Sequence, residues 1–410
     1  MIDVIHLGLG AFHRAHQAVY FQDAGLKVAA VSMRKSDVAD SFNALGCRYN
    51  VVSRSKSGEQ VKEITAITEA LFYERDVQRL LEIAKSPELK AITLTVTEKA
   101  YRNDGPQSVP ARIANLLTAR FDAKQGSIAI ISCDNMPKNS ALIKSLVLEV
   151  LKERNQLEVA DWVEREVRAP NSMIDRIVPA ITNEKSEITT EPFTQWVVET
   201  DRLQDILAPV GVQFVPDVRP FEIAKIRLFN GVHSALAYIG ELEGIEYVHE
   251  VIEHPIYGSF VKKLQESEAI KSITNTGGID LFAYSKTIRE RIANPTLNHR
   301  CQQIAMDGSQ KLQQRLIDGA NSLAELNIPA PRLSMAIAIW LHYLAVSDRI
   351  NDPMGAKFKE LAQAVNPDEV VRTILTDEVF PRPLNEKYFA QISQAVELLR
   401  SEPLIDTLLP

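Results

Sequence analysis

The sequence has few cysteines and lacks several features that would define a protein class at once. Only Cys47, Cys133 and Cys301 occur in 410 residues, and their wide spacing predicts neither a disulfide framework nor a set of zinc ligands. No run of about 18 apolar residues is present, and the amino-terminal segment lacks the basic start and apolar core of a signal peptide. These absences predict a protein of the reducing cytoplasm with no membrane contact.

An excess of positive charge is missing as well. Lysine and arginine number 46 against 53 aspartate and glutamate residues, a formal net charge of −7, which argues against a nucleic-acid partner. The apolar fraction of 45% and the charged fraction of 24% are ordinary for a globular protein, and 410 residues allow two domains. We expect a small-molecule ligand and a monomer or small homo-oligomer.

Short apolar runs alternate with helical patterns through the first half of the chain. The runs are rich in β-branched residues and bounded by turn residues, which predicts buried parallel strands joined by helices. Strands are predicted at 4–10, 26–33, 89–97 and 127–135, and helices at 13–25, 76–86, 110–124 and 138–156. The alternation predicts a doubly wound α/β domain of the Rossmann type.

Strand-like runs become rare beyond residue 207, whereas helical patterns continue, as at 336–347 and 367–380. A connection punctuated by prolines, between 190 and 220, separates the two parts. We therefore predict a dinucleotide-binding domain at 1–206 and a mainly α-helical substrate domain at 207–410.

A glycine turn follows the first predicted strand. In HLGLGAFHRAH, Gly8 and Gly10 would let the backbone approach a pyrophosphate held at the next helix N-terminus. His13 stands where the third glycine of the G-x-G-x-x-G fingerprint would be, and no acidic residue ends the second strand. Ser32 and Arg34 occur there, and Arg34 would take a 2′-phosphate, stack on adenine or be a solvated charge. NAD and NADP both stay open on this pattern.

The segment FEIAKIRLFNGVHSALAY, at 221–238, combines an apolar helical pattern with one polar face. At 100° per residue its polar side chains fall within an arc of roughly 140°. A helix that is apolar nearly all round is usually buried, and buried polar groups need partners or a cavity. The face consists of Glu222, Lys225, Asn230 and His233.

Six segments together resemble the polyol-specific long-chain dehydrogenase family, which includes mannitol 2-dehydrogenase and fructuronate reductase. The Lys-x4-Asn-x2-His pattern beginning at Lys225 is the most specific part of the resemblance. Ala100 and Ser140 stand where glycines are expected, and the chain is shorter than many members. The segments are 8–20, 93–101, 131–140, 171–177, 221–238 and 293–312.

The resemblance implies metal-independent hydride transfer between a nicotinamide and a secondary alcohol. Lys225 would be the general acid/base, because burial lowers the pKa of an amine. The family pattern implies that Asn230 and His233 donate hydrogen bonds to the reacting oxygen. Glu222, one turn before Lys225, would pass the proton to solvent.

Cofactor contacts are expected at the glycine turn and at the strand ends, and the resemblance favours NAD, with NADP possible. Asn135, after a predicted strand, would polarise the substrate oxygen, hold the nicotinamide carboxamide or cap the following helix. Ordinary strand-end capping is the alternative for Thr95, Thr97 and Glu98. The expected cofactor residues are Gly8, Gly10, Ala11, Phe12, Ser32, Arg34, Thr95, Thr97, Glu98 and Cys133.

The substrate itself is less defined, since a carboxylated hexuronate would need a cation whereas a neutral ketose or polyol would not. Asp175, Arg300 and Lys311 are the candidate substrate residues, with Arg14 a further cation. Asp175 could equally form a structural ion pair, and Lys311 could belong to a helix-capping turn. The alternative function is a non-catalytic dinucleotide-binding module or sensor, which would keep the glycine turn but not the Lys225 pattern.

Overall fold

The chain forms two compact units, Met1–Arg219 and Pro220–Pro410. The structure, a computed structural model, describes residues 1–179, 186–376 and 378–408. Within those ranges, no helix combines the length and the apolar character that crossing a bilayer requires.

The first unit contains all the strands in the described part of the chain. In chain order they are β1 Val4–Leu7, β2 Val28–Ser32, β3 Tyr49–Ser55, β4 Gly58–Ile64, β5 Ile67–Phe72, β6 Ala91–Leu94, β7 Ile128–Ser132, β8 Val167–Arg168, β9 Ser172–Asp175, β10 Glu187–Thr190, β11 Gln195–Glu199 and β12 Gln213–Val215. Six of them form one parallel sheet in the order β5-β2-β1-β6-β7-β8. The four strands predicted from apolar runs are β1, β2, β6 and β7 of this sheet, so that prediction is confirmed.

The helices of the first unit join these strands. They are α1 Ala11–Ala15, α2 Gln17–Asp23, α3 Ser36–Ala44, α4 Val77–Ala84, α5 Val109–Asp122, α6 Asn139–Glu153, α7 Leu157–Glu166 and α8 Gln204–Leu207, with 3-10 turns at Glu98–Ala100 and Ala208–Val210. The sheet is buried on both faces, and the side chains of β1 alternate between them. Ile5 and Leu7 pack in one apolar cluster with Ile143 of α6, and Val4 packs in the other with Phe21 of α2. This is the predicted doubly wound arrangement.

Two small sheets complete the first unit, and neither was predicted. One has the order β10-β3-β4 and the other β12-β11-β9. In β4 nearly every residue is exposed or half-buried, so it lacks the apolar pattern that identifies a strand. The unit extends past residue 206 to Arg219 because β12 pairs with β11.

The second unit is mainly α-helical, as predicted. Its α-helices are α9 Arg219–Ala224, α10 Gly231–Glu243, α11 Val248–Glu253, α12 Pro255–Leu264, α13 Leu281–Ile292, α14 Cys301–Ala305, α15 Gly308–Leu312, α16 Asp318–Glu325, α17 Pro331–Val346, α18 Gly355–Ala362, α19 Pro367–Ile374, α20 Phe389–Ser401 and α21 Leu404–Thr407. Shorter 3-10 turns lie at Pro295–Leu297 and Glu386–Tyr388, and π-helical segments at Lys225–Asn230, Gln265–Ala269 and Gln313–Ile317. The predicted helix at 367–380 is α19, and its position 377 lies outside the described residues.

Helices α10 and α17 are both largely buried in the second unit. Tyr238 of α10 packs against Tyr343 of α17 at 5.2 Å between ring centroids, and Trp340 packs edge-on against Phe358 of α18 at 5.7 Å. Every residue from 231 to 240 is buried. Of the polar residues predicted at 221–238, His233 therefore lies on a helix inside the unit.

Candidate active site

The glycine turn of the first unit packs closely against Thr95, the residue that follows β6. Gly8 has φ 110°, and a Cβ atom there would lie 2.1 Å from the carbonyl oxygen of Thr95. Gly10 has extended backbone, and its nearest neighbour would lie 4.0 Å from an added Cβ. Gly8 is thus required by the packing of two strand ends, as a close approach of backbones demands.

A cavity of about 420 Å³ opens at this turn, along the carboxyl ends of β1, β2 and β6. A ligand is expected at this edge of an open α/β sheet. Its walls contain six of the ten predicted cofactor residues, namely Gly8, Gly10, Ser32, Arg34, Thr95 and Thr97. Gly8 lets the chain turn next to Thr95 O, and at Gly10 an added Cβ would meet no atom closer than 4.0 Å. The backbone at Gly10 is therefore open, and the turn fits the close approach of a dinucleotide.

The other four predicted cofactor residues do not line this cavity. Ala11 begins α1 after the glycine turn, and Glu98 begins the 3-10 turn that follows Thr97. Phe12 stacks on His16 at 5.2 Å between ring centroids. Cys133 is 1% exposed within an apolar cluster, where burial raises the pKa of its thiol. A cofactor contact by Cys133 has no support in this geometry, because its side chain belongs to the core.

Sequence reasoning missed several residues of the cavity wall. Ser108 begins α5 by accepting a hydrogen bond from Ala111 N, a helix-start pattern visible in SVPA. Arg112, one turn into α5, donates to the carbonyl of Met33 at 3.0 Å and pairs with Glu74. The missed wall residues with polar side chains are Asp104, Gln107, Ser108 and Arg112.

His13, at the position of the missing third glycine, has a structural place beneath the turn. Its ring stacks on His6 at 3.4 Å between centroids. His6 bonds Thr93 Oγ1 at 2.7 Å and Thr95 Oγ1 at 2.9 Å, and Thr95 in turn donates to the Gly8 carbonyl at 3.2 Å. Burial lowers the pKa of His6 to about 3. A neutral imidazole therefore anchors the strand end to the glycine turn.

Asn135 and Asp175, both in the first unit, differ in exposure. Asn135 is exposed, and it does not cap the next helix, since α6 begins at Asn139 after Lys138. Ser140, at a position where the resemblance led us to expect glycine, accepts a hydrogen bond from Ser132 N at 2.9 Å. Asp175 is 1% exposed at the end of β9.

The polar face of the second unit is buried as predicted, but its helix is not regular. Glu222, Lys225, Asn230 and His233 are 7%, 7%, 8% and 7% exposed. Residues Lys225–Asn230 form a π-helical segment between α9 and α10. Hydrogen bonds from i to i+5 widen the turn, so the spacing of 100° per residue does not hold across it. π-Bulges are frequent at functional sites.

His233 lies in an aromatic and basic environment. Its ring stacks on Phe229 at 5.1 Å and meets His299 edge-on at 5.0 Å, while the Arg291 guanidinium lies 4.7 Å from the Phe229 ring centre. Burial, followed by the influence of His299, Arg315 and Arg291, lowers the pKa of His233 well below its usual value. Burial also lowers the pKa of His299 to about 4.

Both imidazoles are therefore neutral at neutral pH. His233 Nε2 and His299 Nδ1 are buried without a hydrogen-bond partner among the residues that the structure describes. Buried polar atoms are normally paired, so these two are available to a bound ligand. His299 and Arg291 were missed because they come from another part of the chain, and no local pattern connects them to Lys225.

The two cations predicted to contact substrate have protein partners. Arg300 pairs with Glu246 at 3.3 Å, and its side chain is 62% exposed. Lys311 donates to the carbonyl of Met306 at 2.9 Å and lies 3.6 Å from Asp307. Arg14 is largely buried, with its guanidinium over the rings of Phe42 and Tyr49.

A doubly wound sheet with this glycine turn, followed by a helical unit, is the architecture of a dinucleotide-dependent oxidoreductase. Known proteins define the class further. Residues 2–208 match the mannitol dehydrogenase Rossmann domain, and residues 217–400 match the mannitol dehydrogenase C-terminal domain. The chain belongs to the mannitol dehydrogenase family.

Several named relatives match nearly the whole chain. D-mannonate oxidoreductase of Escherichia coli is 32% identical, over 97% of this chain and 93% of its own length. Mannitol dehydrogenase 2 of Saccharomyces cerevisiae is 29% identical, over 96% of this chain and 89% of its own. The structure of Pseudomonas fluorescens mannitol 2-dehydrogenase with NAD and D-mannitol has a TM-score of 0.85 at 26% identity, covering 99% of this chain and 93% of that one. The protein is an NAD-dependent oxidoreductase that acts on CH–OH groups.

Proposed function

We propose that the protein interconverts a secondary alcohol and a ketone of a polyol or sugar acid, without a metal, using Lys225 as the general acid/base. The observation that carries the proposal is that Glu222, Lys225, Asn230 and His233 are all buried along one continuous helical segment. Relatives named mannitol 2-dehydrogenase and D-mannonate oxidoreductase support this substrate class.

The four side chains have complementary roles in this proposal. The Lys225 amine accepts the hydroxyl proton during oxidation and returns it during reduction. Asn230 and neutral His233 donate hydrogen bonds to the reacting oxygen, where charge develops. Glu222 relays the proton between Lys225 and solvent. NAD supplies the hydride acceptor at its nicotinamide ring.

Cofactor binding is assigned to the cavity at the glycine turn. Gly8 and Gly10 would admit the pyrophosphate, while Ser32 and Arg34 at the end of β2 would face the adenosine. No carboxylate ends β2 to bind the ribose hydroxyls, so we propose NAD with incomplete discrimination against NADP. Asn135 is proposed to contact the nicotinamide carboxamide or the substrate oxygen.

The finer substrate assignment rests on charge. Asp175, Lys311 and Arg300 remain the proposed substrate contacts, and Arg300 would have to exchange Glu246 for a substrate carboxylate. His233 and His299 suit the hydroxyl groups that a polyol and a sugar acid share. We also propose a cytoplasmic location, which three buried free cysteines favour, and a monomer or small homo-oligomer.

The test is turnover across a substrate panel. The protein is titrated with NADH, followed by nucleotide fluorescence, and then mixed with NADH and a series of ketoses and hexuronates. We expect NADH absorbance to fall with at least one of them, equally with and without a chelator. NADH binding without turnover on any member would favour a dinucleotide-binding module.

A further inference from the structure

Thr97, in the wall of the cofactor cavity, has a strained backbone. Its φ is 73° and its ψ is 156°, a region that is essentially restricted to glycine. A β-branched side chain makes this conformation more costly. Thr97 therefore keeps it only if surrounding groups hold it there.

One buried carboxylate holds it. Asp134, just beyond β7, accepts hydrogen bonds from the backbone N–H groups of Val96 and Thr97, each at 2.9 Å to Oδ1. Tyr101 donates its hydroxyl to Oδ2 at 2.8 Å and also contacts Ser132 Oγ. Asp134 is 8% exposed. Hydrogen bonds from several donors to one buried charge are strong, so the ends of β6 and β7 are tied together at the cavity.

We propose that Asp134 is a positioning residue that holds Thr97 in its strained conformation and so shapes the wall against which NAD binds. Asp134 does not line the cavity, so it acts through the Thr97 backbone. The inference rests on the proposed use of this cavity for the cofactor.

A second buried carboxylate provides a matched control. Glu268, in the second unit, accepts hydrogen bonds from the backbone N–H groups of Arg332, at 2.9 Å, and Leu333, at 2.8 Å, where α17 begins. It is 2% exposed. Glu268 thus accepts hydrogen bonds from two consecutive backbone N–H groups, as Asp134 does, but it does not line the cofactor cavity.

The experiment is a double-mutant cycle on NADH affinity in the full chain. Asp134→Ala should raise the Kd for NADH roughly tenfold, the scale set by releasing one strained residue. Glycine adopts this backbone conformation without strain. In a Thr97→Gly background the same Asp134→Ala change should therefore raise the Kd by less than about threefold. Glu268→Ala should lower Tm and leave the NADH Kd unchanged.

Several outcomes would overturn the inference. They are an Asp134→Ala protein that binds NADH like the wild type, an equal effect in both Thr97 backgrounds, or an equal rise in Kd for Glu268→Ala. If Asp134→Ala does not fold by circular dichroism, Asp134→Asn replaces it, with a rise of about threefold expected from losing the charge alone. A wild-type protein that binds no NADH would instead refute the proposed function.

Discussion

The two units build their functional surfaces in different ways. The first unit forms its cavity from the ends of β1, β2 and β6 and the start of α5, which are distant in sequence. The second unit carries Glu222, Lys225, Asn230 and His233 on one helical segment. A surface assembled from distant loops depends on backbone placement, whereas a surface on one helix depends on side-chain identity. The substitutions below test that contrast.

The largest effect is expected from the helix. Lys225→Ala should lower kcat by roughly 10²–10⁴, the range for losing a positioned acid/base, with little change in the NADH Kd. Lys262→Ala, at an exposed position on α12, is the control and should leave kcat unaltered. Turnover of Lys225→Ala within a few-fold of the wild type would remove this lysine from the mechanism.

In the first unit, the largest effect on stability and NADH binding is expected from a substitution that strains the backbone. Gly8→Ala would place a Cβ 2.1 Å from Thr95 O at positive φ, costing roughly 2–4 kcal/mol of stability and weakening NADH binding. At Gly10 the nearest atom is 4.0 Å away, so Gly10→Ala should change stability by less than about 1 kcal/mol. Denaturant unfolding measures both, and equal losses would refute the proposed dependence on Gly8 packing.

A smaller effect, on the preference between NAD and NADP, is expected at Arg34, an exposed residue of the cavity wall. Arg34→Asp supplies the missing carboxylate and repels a 2′-phosphate, so the ratio of kcat/KM for NAD to that for NADP should rise about tenfold. Lys35→Asp makes the same charge change at the neighbouring exposed residue outside the cavity wall, and should alter the ratio much less. Equal changes would assign the effect to net charge.

The last prediction concerns acid stability. Burial lowers the pKa of His6 to about 3 and that of His299 to about 4, against about 6.5 in the unfolded chain. The unfolded state therefore takes up these protons first, and the stabilisation is complete above pH 6.5 and lost as the pH falls towards 4.

Tm should fall over that interval, and carboxylate titration will contribute to the fall. Comparison with His299→Asn isolates the histidine, because this variant should lose less Tm than the wild type between pH 6.5 and 4. The same loss in both proteins would mean that His299 is not buried in its neutral form.

Features that depend on local pattern were predictable from the sequence. The strands β1, β2, β6 and β7 follow from short apolar runs, and the burial of most of the 221–238 segment follows from its apolar helical pattern, although Ile223 is exposed. By contrast, β4 is an exposed, polar strand, and the π-helical segment at Lys225–Asn230 has no signature in residue type. Both depend on tertiary packing, which cannot be deduced from the periodicity of apolar residues along the sequence.

The contacts that complete each surface are long-range. Asp134 reaches Thr97 only because β6 pairs with β7, and His299 meets His233 only after α10 packs beside the segment before α14. His13 shows the same limit: it departs from the glycine fingerprint in sequence, whereas in the structure it stacks on His6.

The most direct test of the account is a pair of pH–rate profiles for the wild type, one for alcohol oxidation and one for ketone reduction. Oxidation needs the Lys225 amine neutral and reduction needs it protonated, so oxidation should rise with pH and reduction should fall, through one apparent pKa. Glu222→Gln should slow kcat for oxidation more than it changes KM. Opposed profiles are the predicted result, and parallel profiles would show that another group carries the proton.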